Sequence, residues 1–140
     1  MSIEYIVGPH QHSLHDSVLF SFNVSPELNE IVAVLGTPDE DGIILKCSIK
    51  FKRVLKLEYE TLGMGNKGGF PIEIYDVYYH KTSGEITRWK ERLKQLDASQ
   101  SDIDSIRHVI LASSFMRGWG KNSDLEGISI ICTGWDIAPA

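Results

Sequence analysis

This chain is poor in the residues that staple, anchor or recruit nucleic acid. Its two cysteines, Cys47 and Cys132, are too few for a disulfide framework, and their spacing fits no zinc motif. Each lies among alternating apolar residues, the setting of a small buried thiol. No apolar run approaches the roughly 18 residues that a membrane span needs, so no membrane partner is expected. Met1-Ser2-Ile3-Glu4 carries no basic leader, which makes the cytoplasm the expected compartment. Acidic residues outnumber basic ones, for a net charge of −5. That balance speaks against nucleic acid, whose phosphates require a basic surface. It suits a basic protein partner steered in by charge. There is no Gly-x-Ser-x-Gly nucleophile elbow. The glycine-dense stretch Gly63-Met64-Gly65-Asn66-Lys67-Gly68-Gly69 lacks the Gly-Lys-Ser/Thr ending and the following helix of a phosphate loop.

Amphipathic strands are what the chain has in quantity. Ile43, Leu45, Cys47, Ile49 and Phe51 alternate with Lys46, Ser48 and Lys50, the period of two that gives a strand one buried face. Val18, Phe20, Phe22 and Val24 alternate with Ser17, Leu19, Ser21 and Asn23, which predicts a second strand with those four inward. Further strands are expected over 3–7, 30–35, 55–60, 72–80, 107–115 and 127–137. Within 55–60, Leu55, Leu57 and Tyr59 share a face. Within 72–80, Tyr75, Val77 and Tyr79 oppose Ile74, Asp76, Tyr78 and His80. From Glu85 to Leu96 the period changes, with Ile86, Trp89, Leu93 and Leu96 at helical spacing and Thr82 or Ser83 as the cap. Short connections and the lack of β-α-β alternation point to antiparallel meanders. The expected fold over residues 1–140 is one domain, mainly β (α+β). It is an antiparallel β-sandwich or strongly curved sheet with one amphipathic helix near 85–96. A curved sheet with open edges can also pair as a homodimer.

Chemistry-bearing groups concentrate in His10-Gln11-His12-Ser13-Leu14-His15-Asp16-Ser17, which holds three of the five histidines. His10, His12, His15 and Asp16 together offer nitrogen and oxygen donors suited to zinc or another transition metal, with His80 and His108 as the nearest reinforcements. The simpler reading needs no cofactor. His15 and Asp16 stand at the start of a strand, where a carboxylate can accept backbone N–H groups and an imidazole can donate to a carbonyl. That corner would pin the register of the following strand, where a slip of one residue turns its faces inside out. Arg117, Trp119 and Lys121, an aromatic between glycines and cations, form the candidate tip for binding a protein partner.

His15-Asp16-Ser17 leads into an alternating strand. Two short apolar steps follow between Phe51 and Leu57, and Gly127-Ile128-Ser129-Ile130-Ile131-Cys132 makes a C-terminal strand. This order resembles small β-rich bacterial proteins with an N-terminal His-Asp-Ser or His-Asp-Ala step. Some of those are immunity proteins, which bind and neutralise a cognate toxin. The resemblance implies a non-enzymatic binding protein with a protein partner. The alternative expectation is a metal-binding module or metal-dependent enzyme centred on the histidine stretch.

Overall fold

Strand follows strand with few interruptions, as the period-two patterning dictates. The computed structural model describes residues 3–58, 72–113 and 127–140. Its elements are β1 (Ile3–Tyr5), a 3-10 turn (Pro9–Gln11), β2 (Ser17–Ser25), β3 (Glu30–Pro38), β4 (Ile44–Lys52), β5 (Lys56–Glu58) and β6 (Ile72–His80). Helices α1 (Gly84–Gln95) and α2 (Gln100–Asp104) come next, then β7 (Arg107–Ser113), β8 (Gly127–Cys132) and β9 (Gly134–Pro139). The fold is mainly β with one long helix, and every pairing among the described strands is antiparallel. None of the described helices is long and apolar enough to cross a membrane.

The strands run in the order β5-β8-β7-β6-β2-β3-β4-β9, with β1 beside β6. The two ends of that path are joined through the chain itself. β4 leads into β5 after three residues, and β8 leads into β9 after one. At this double corner Lys52 pairs with Gly134, Thr133 N–H donates to Lys52 O (3.2 Å) and Leu55 N–H donates to Ile131 O (2.7 Å). The sheet therefore curls round until it meets itself. Trp135 packs at the seam, with its ring 6.4 Å from Phe51 and 4.9 Å from Tyr79. The core inside includes Leu19, Leu35, Ile49, Phe51, Leu111 and Ile130, all fully buried.

Outside the barrel, α1 covers one patch of sheet. Ile86, Ile106 and Ile131 form a second buried cluster, with Leu55, Trp89 and Leu93 packed against it. Burying each aliphatic side chain stabilises this contact by about 1.5–3 kcal/mol. Ser83 caps the helix by accepting from Ile86 N–H at 3.1 Å. Leu96, although at helical spacing, lies past the last turn and is 74% exposed.

Several strands differ from their sequence patterns for identifiable reasons. β2 slips register between Leu19 and Ser21, leaving Phe20 as an extra residue. This β-bulge changes the phase of the strand. Leu19 and Ser17 are buried, Phe22 packs on the core, and Phe20 and Val24 are exposed. β6 slips likewise between Ile74 and Asp76, so Ile74 and Val77 both face inward. Leu55 and Leu57 straddle the double corner, so Leu57 meets the main core while Leu55 meets the helix cluster. The stretch 127–137 is two strands, because Thr133 is where the chain changes partner from β7 and β5 to β4. The glycine-dense stretch 63–69 lies outside the described residues.

Candidate functional site

Two polar clusters and one apolar patch interrupt an otherwise regular surface. The first cluster is the corner before β2. Pro9 starts a tight turn in which His10 and Gln11 both take positive φ (62° and 65°). Gly8 N–H donates to His12 O at 2.8 Å, and His12 Nδ1 donates to Pro9 O at 2.6 Å. The His12 ring occupies the space beside Gly8, where a β-carbon would lie 2.2 Å from His12 Cε1. His12 is thus turned into the protein while His10 is exposed. His15 Nδ1 lies 3.3 Å from Asp76 Oδ2, and its Nε2 lies 3.3 Å from Asp16 Oδ2. Asp16 holds φ +56°, a left-handed corner that Asp tolerates better than most residues. The ladder with β6 begins at once, with Ser17 opposite Ile74.

A half-open cavity of about 200 Å³ adjoins this corner, lined by Asp16, Ser17, Val18, Glu73 and Ile74. Ser17 is only 1% exposed, and its Oγ has no hydrogen-bond partner among the described residues. An orphaned buried hydroxyl is uncommon, because it forfeits its bonds to water without replacement.

The second cluster lies beside the helix cap. His80 and His108 are directly opposite each other on β6 and β7, with ring centroids 5.8 Å apart. His108 Nε2 is 2.7 Å from Ser129 Oγ, and its Nδ1 is 3.4 Å from Ser83 Oγ. Burial first, and the neighbouring His80 charge second, hold the His108 pKa below the usual histidine value. Burial lowers that of His80 as well. His80 Nδ1 and Glu85 Oε2 are buried without a hydrogen-bond partner among the described residues. A serine hydroxyl on Nε2 is half of a nucleophile–base pair. The group at Nδ1, however, is the hydroxyl that caps α1 rather than a carboxylate. The arrangement ties helix to sheet and is built to respond to protonation.

The apolar patch lies on the outer face of β2, β3 and β4. Phe20, pushed outward by the bulge, meets Ile44 over Gly36, where a β-carbon would be 2.5 Å from Phe20 Cε2 and 2.6 Å from Ile44 Cγ2. Lys46 Nζ sits 4.7 Å from the Phe20 ring centre. Ile44 is 45% exposed on this face; Leu45, on the opposite face with Cys47, is 39% exposed, and Ile43, in the turn before the strand, is 62% exposed. The turn before them is fixed, since Asp39 Oδ1 accepts from Asp41 N–H and Ile43 N–H, both at 2.9 Å.

Of the residues expected to bind metal, the structure joins His15 to Asp16 and directs His10 and His12 elsewhere. Among the described residues, no three His, Cys, Asp or Glu side chains are grouped to hold a metal ion. Arg117, Trp119 and Lys121 lie outside the described residues. Asp76, Ser17 and the Phe20–Ile44 patch carry no signal in the sequence, and His80 and His108, expected only as additional ligands for the histidine stretch, instead pair with each other. Pairing of β2 with β6 sets Ser17 opposite Ile74, pairing of β6 with β7 sets His80 opposite His108, and a bulge creates the apolar patch. A signal for the histidine pair existed in the 72–80 and 107–115 strands, because pairing them as neighbours sets His80 near His108.

No protein-family model matches this chain, and no curated protein matches it. Among solved structures it is similar to the crystal structure of an uncharacterized protein from Neisseria gonorrhoeae, with a TM-score of 0.53 over 100% of each chain and 14% identity. At that identity the likeness is one of fold alone.

Proposed function

We propose that this chain is a non-enzymatic binding protein of the cytoplasm that docks onto a protein partner, in the manner of an immunity protein that neutralises a toxin. The observation that carries this reading is the exposed pair Phe20 and Ile44, which meet over Gly36 on the outer face of β2–β4. Single exposed aliphatics are ordinary on protein surfaces, whereas a contiguous group marks an interaction surface. The patch lies on paired strands next to a hydrogen-bonded turn, so little ordering entropy is lost on docking. The adjoining Asp39, Glu40 and Asp41 and the net charge of −5 favour a partner of basic character.

Affinity capture from the native host, followed by mass spectrometry, tests the reading with wild type and a Phe20→Asp/Ile44→Asp variant. A protein retained by wild type and lost by the folded variant supports it, above all if that protein is a toxin encoded next to the gene. Reproducible absence of any partner, or equal retention by the variant, refutes it.

A further inference from the structure

We propose that His80 and His108 form an acid-released latch: neutral rings hold the N-terminal end of α1 on the barrel, and protonated rings let it swing away while the barrel stays closed. The latch lies on a different face from the apolar patch and does not depend on the binding reading.

The helical segment is placed to move without disturbing the sheet. It lies between His80, the last residue of β6, and Arg107, the first of β7, and those strands pair directly, with His80 opposite His108. Residues 81–106 therefore leave the sheet and rejoin it at neighbouring points, and lifting part of them breaks no strand ladder. The apolar contact beneath α1 is also separate from the core inside the barrel. Ile86 meets Ile106 and Ile131, with Leu55, Trp89 and Leu93 packed against them, whereas Leu19, Phe51 and Leu111 belong to the other cluster. The far end is tethered independently, because Arg53 pairs with Asp102 and Ile103 of α2 is buried. The near end is tied at Ser83, whose Oγ accepts from Ile86 N–H and faces His108 Nδ1 at 3.4 Å.

That tie has room for neutral rings only. His108 lies between two hydroxyls, Ser83 at Nδ1 and Ser129 at Nε2, and neither can neutralise a charge. His80 Nδ1 is buried without a hydrogen-bond partner among the described residues, so a proton there would meet no acceptor. The two ring centres are 5.8 Å apart, and a proton on each would set like charges side by side.

The surrounding groups do not cancel this. From α1, Glu85 draws a proton toward His108, but its Oε1 is shared by Lys56 and Arg88, each at 3.5 Å. From β5, Glu58 attracts and Lys56 repels, and those two pair with each other. The chain's amino group repels a proton from His80, and the Tyr78 ring stands edge-on to it at 5.7 Å. Burial is the largest influence on both histidines and holds both pKa values below that of a free imidazole. Released rings regain water, so the open form is the one that takes up protons as pH falls below about 6.5.

Amide hydrogen exchange read by mass spectrometry tests the latch on the intact chain at pH 7.5 and 5.5, with rates corrected for intrinsic exchange. Both values lie above the carboxylate range, so histidines dominate the titration between them. The expected result at pH 5.5 is a loss of protection in α1 of at least about threefold. Its ceiling is about a hundredfold, a factor of ten for each histidine over the unit of pH below 6.5. Strands β3 and β4 keep their protection. His80→Gln/His108→Gln, which cannot titrate, removes the pH dependence at α1, and His10→Gln, at an exposed position, leaves it intact. Equal losses in α1 and in β3–β4, no loss in α1, an effect abolished by His10→Gln, or a loss that persists in His80→Gln/His108→Gln overturns the proposal. If the double replacement does not fold, His108→Gln alone decides: a smaller loss at α1 supports the latch, and an undiminished loss overturns it.

Discussion

His15 Nδ1 faces Asp76 Oδ2 at 3.3 Å, linking the residue that precedes the β2 corner to a strand sixty positions further along the chain. Asp76 is the first residue after the register slip in β6, so the contact fixes which residue of β6 follows the bulge. His15→Ala is expected to lower stability by about 0.5–1 kcal/mol, since its ring is partly exposed and screened. His10→Ala, at an exposed position, is expected to change stability by less than about 0.5 kcal/mol. Urea denaturation of the two variants checks both numbers. Equal effects would remove His15 from any structural role.

Gly8 and His12 compete for one space. A β-carbon on Gly8 would fall 2.2–2.8 Å from three atoms of the His12 ring. Gly8→Ala is therefore expected to destabilise by about 1–3 kcal/mol, the cost of overpacking. Removing the ring relieves the clash, so Gly8→Ala/His12→Ala should be less destabilised than the sum of the single changes. A double-mutant cycle by thermal or urea unfolding measures that coupling. Strict additivity would contradict the steric account.

Acid should loosen the junction of α1 with the sheet. The folded pKa values of His80 and His108 lie below the unfolded histidine value of about 6.5. The unfolded chain therefore takes up protons first as pH falls. Their contribution is intact above about pH 6.5 and is lost as pH drops from there toward the folded values. Glu85 and Glu58 oppose the shift in His108, while Lys56 reinforces it. Replacing His108 with Gln, which cannot titrate, should flatten the decline between about pH 6.5 and 5, where each such histidine adds at most ~1.4 kcal/mol per pH unit. Chemical denaturation across that range reads the slope. An unchanged slope in His108→Gln would show that His108 does not report this linkage.

Neither thiol should react in the native protein. Cys47 and Cys132 are fully buried. Burial pushes the Cys132 thiol up to about 12 and raises that of Cys47. Thiolate is the reactive form, so a chromogenic disulfide reagent at neutral pH is expected to label neither cysteine until the chain unfolds, and then both. Rapid labelling under native conditions would mean that the barrel opens locally near β4 or β8.

Strand existence and the helix were legible because each rests on local periodicity. Cys47, Ile49 and Phe51 in β4 and Ile86, Trp89 and Leu93 in α1 show their inward faces in the sequence itself, although the same alternation also pointed to Ile43 and Leu45, which are exposed. What stayed hidden depends on one residue more or less in a strand. The extra residue at Phe20 turned Ser17 and Leu19 inward ahead of the bulge while Phe22 beyond it packs on the core, and the slip after Ile74 put Ile74 on the same side as Val77. A bulge leaves no period of its own, because the residues on either side still alternate. The candidate site was legible only in part. The His15-Asp16 corner could be placed at a strand start, but Asp76 and Ser17 acquire meaning only when β2 pairs with β6. The expected tip at Arg117, Trp119 and Lys121 falls outside the described residues.

The closing of the sheet by β9 has a consequence for how the chain reaches its folded state. Cys47 pairs with Pro139, so the pairing that completes the barrel joins segments roughly ninety residues apart, the kind of distant contact that slows folding. During synthesis β3 and β4 can pair as a local hairpin well before β9 has been made. In that interval the outer edge of β4 offers unpaired backbone groups directly alongside the exposed Ile44 and Leu45. The same apolar patch proposed to serve recognition in the finished protein is thus open to aggregation while the chain is being made. The arrival of the last strand covers the edge of β4 from Cys47 to Lys52 and stops short of Ile44, whose side chain stays free to bind.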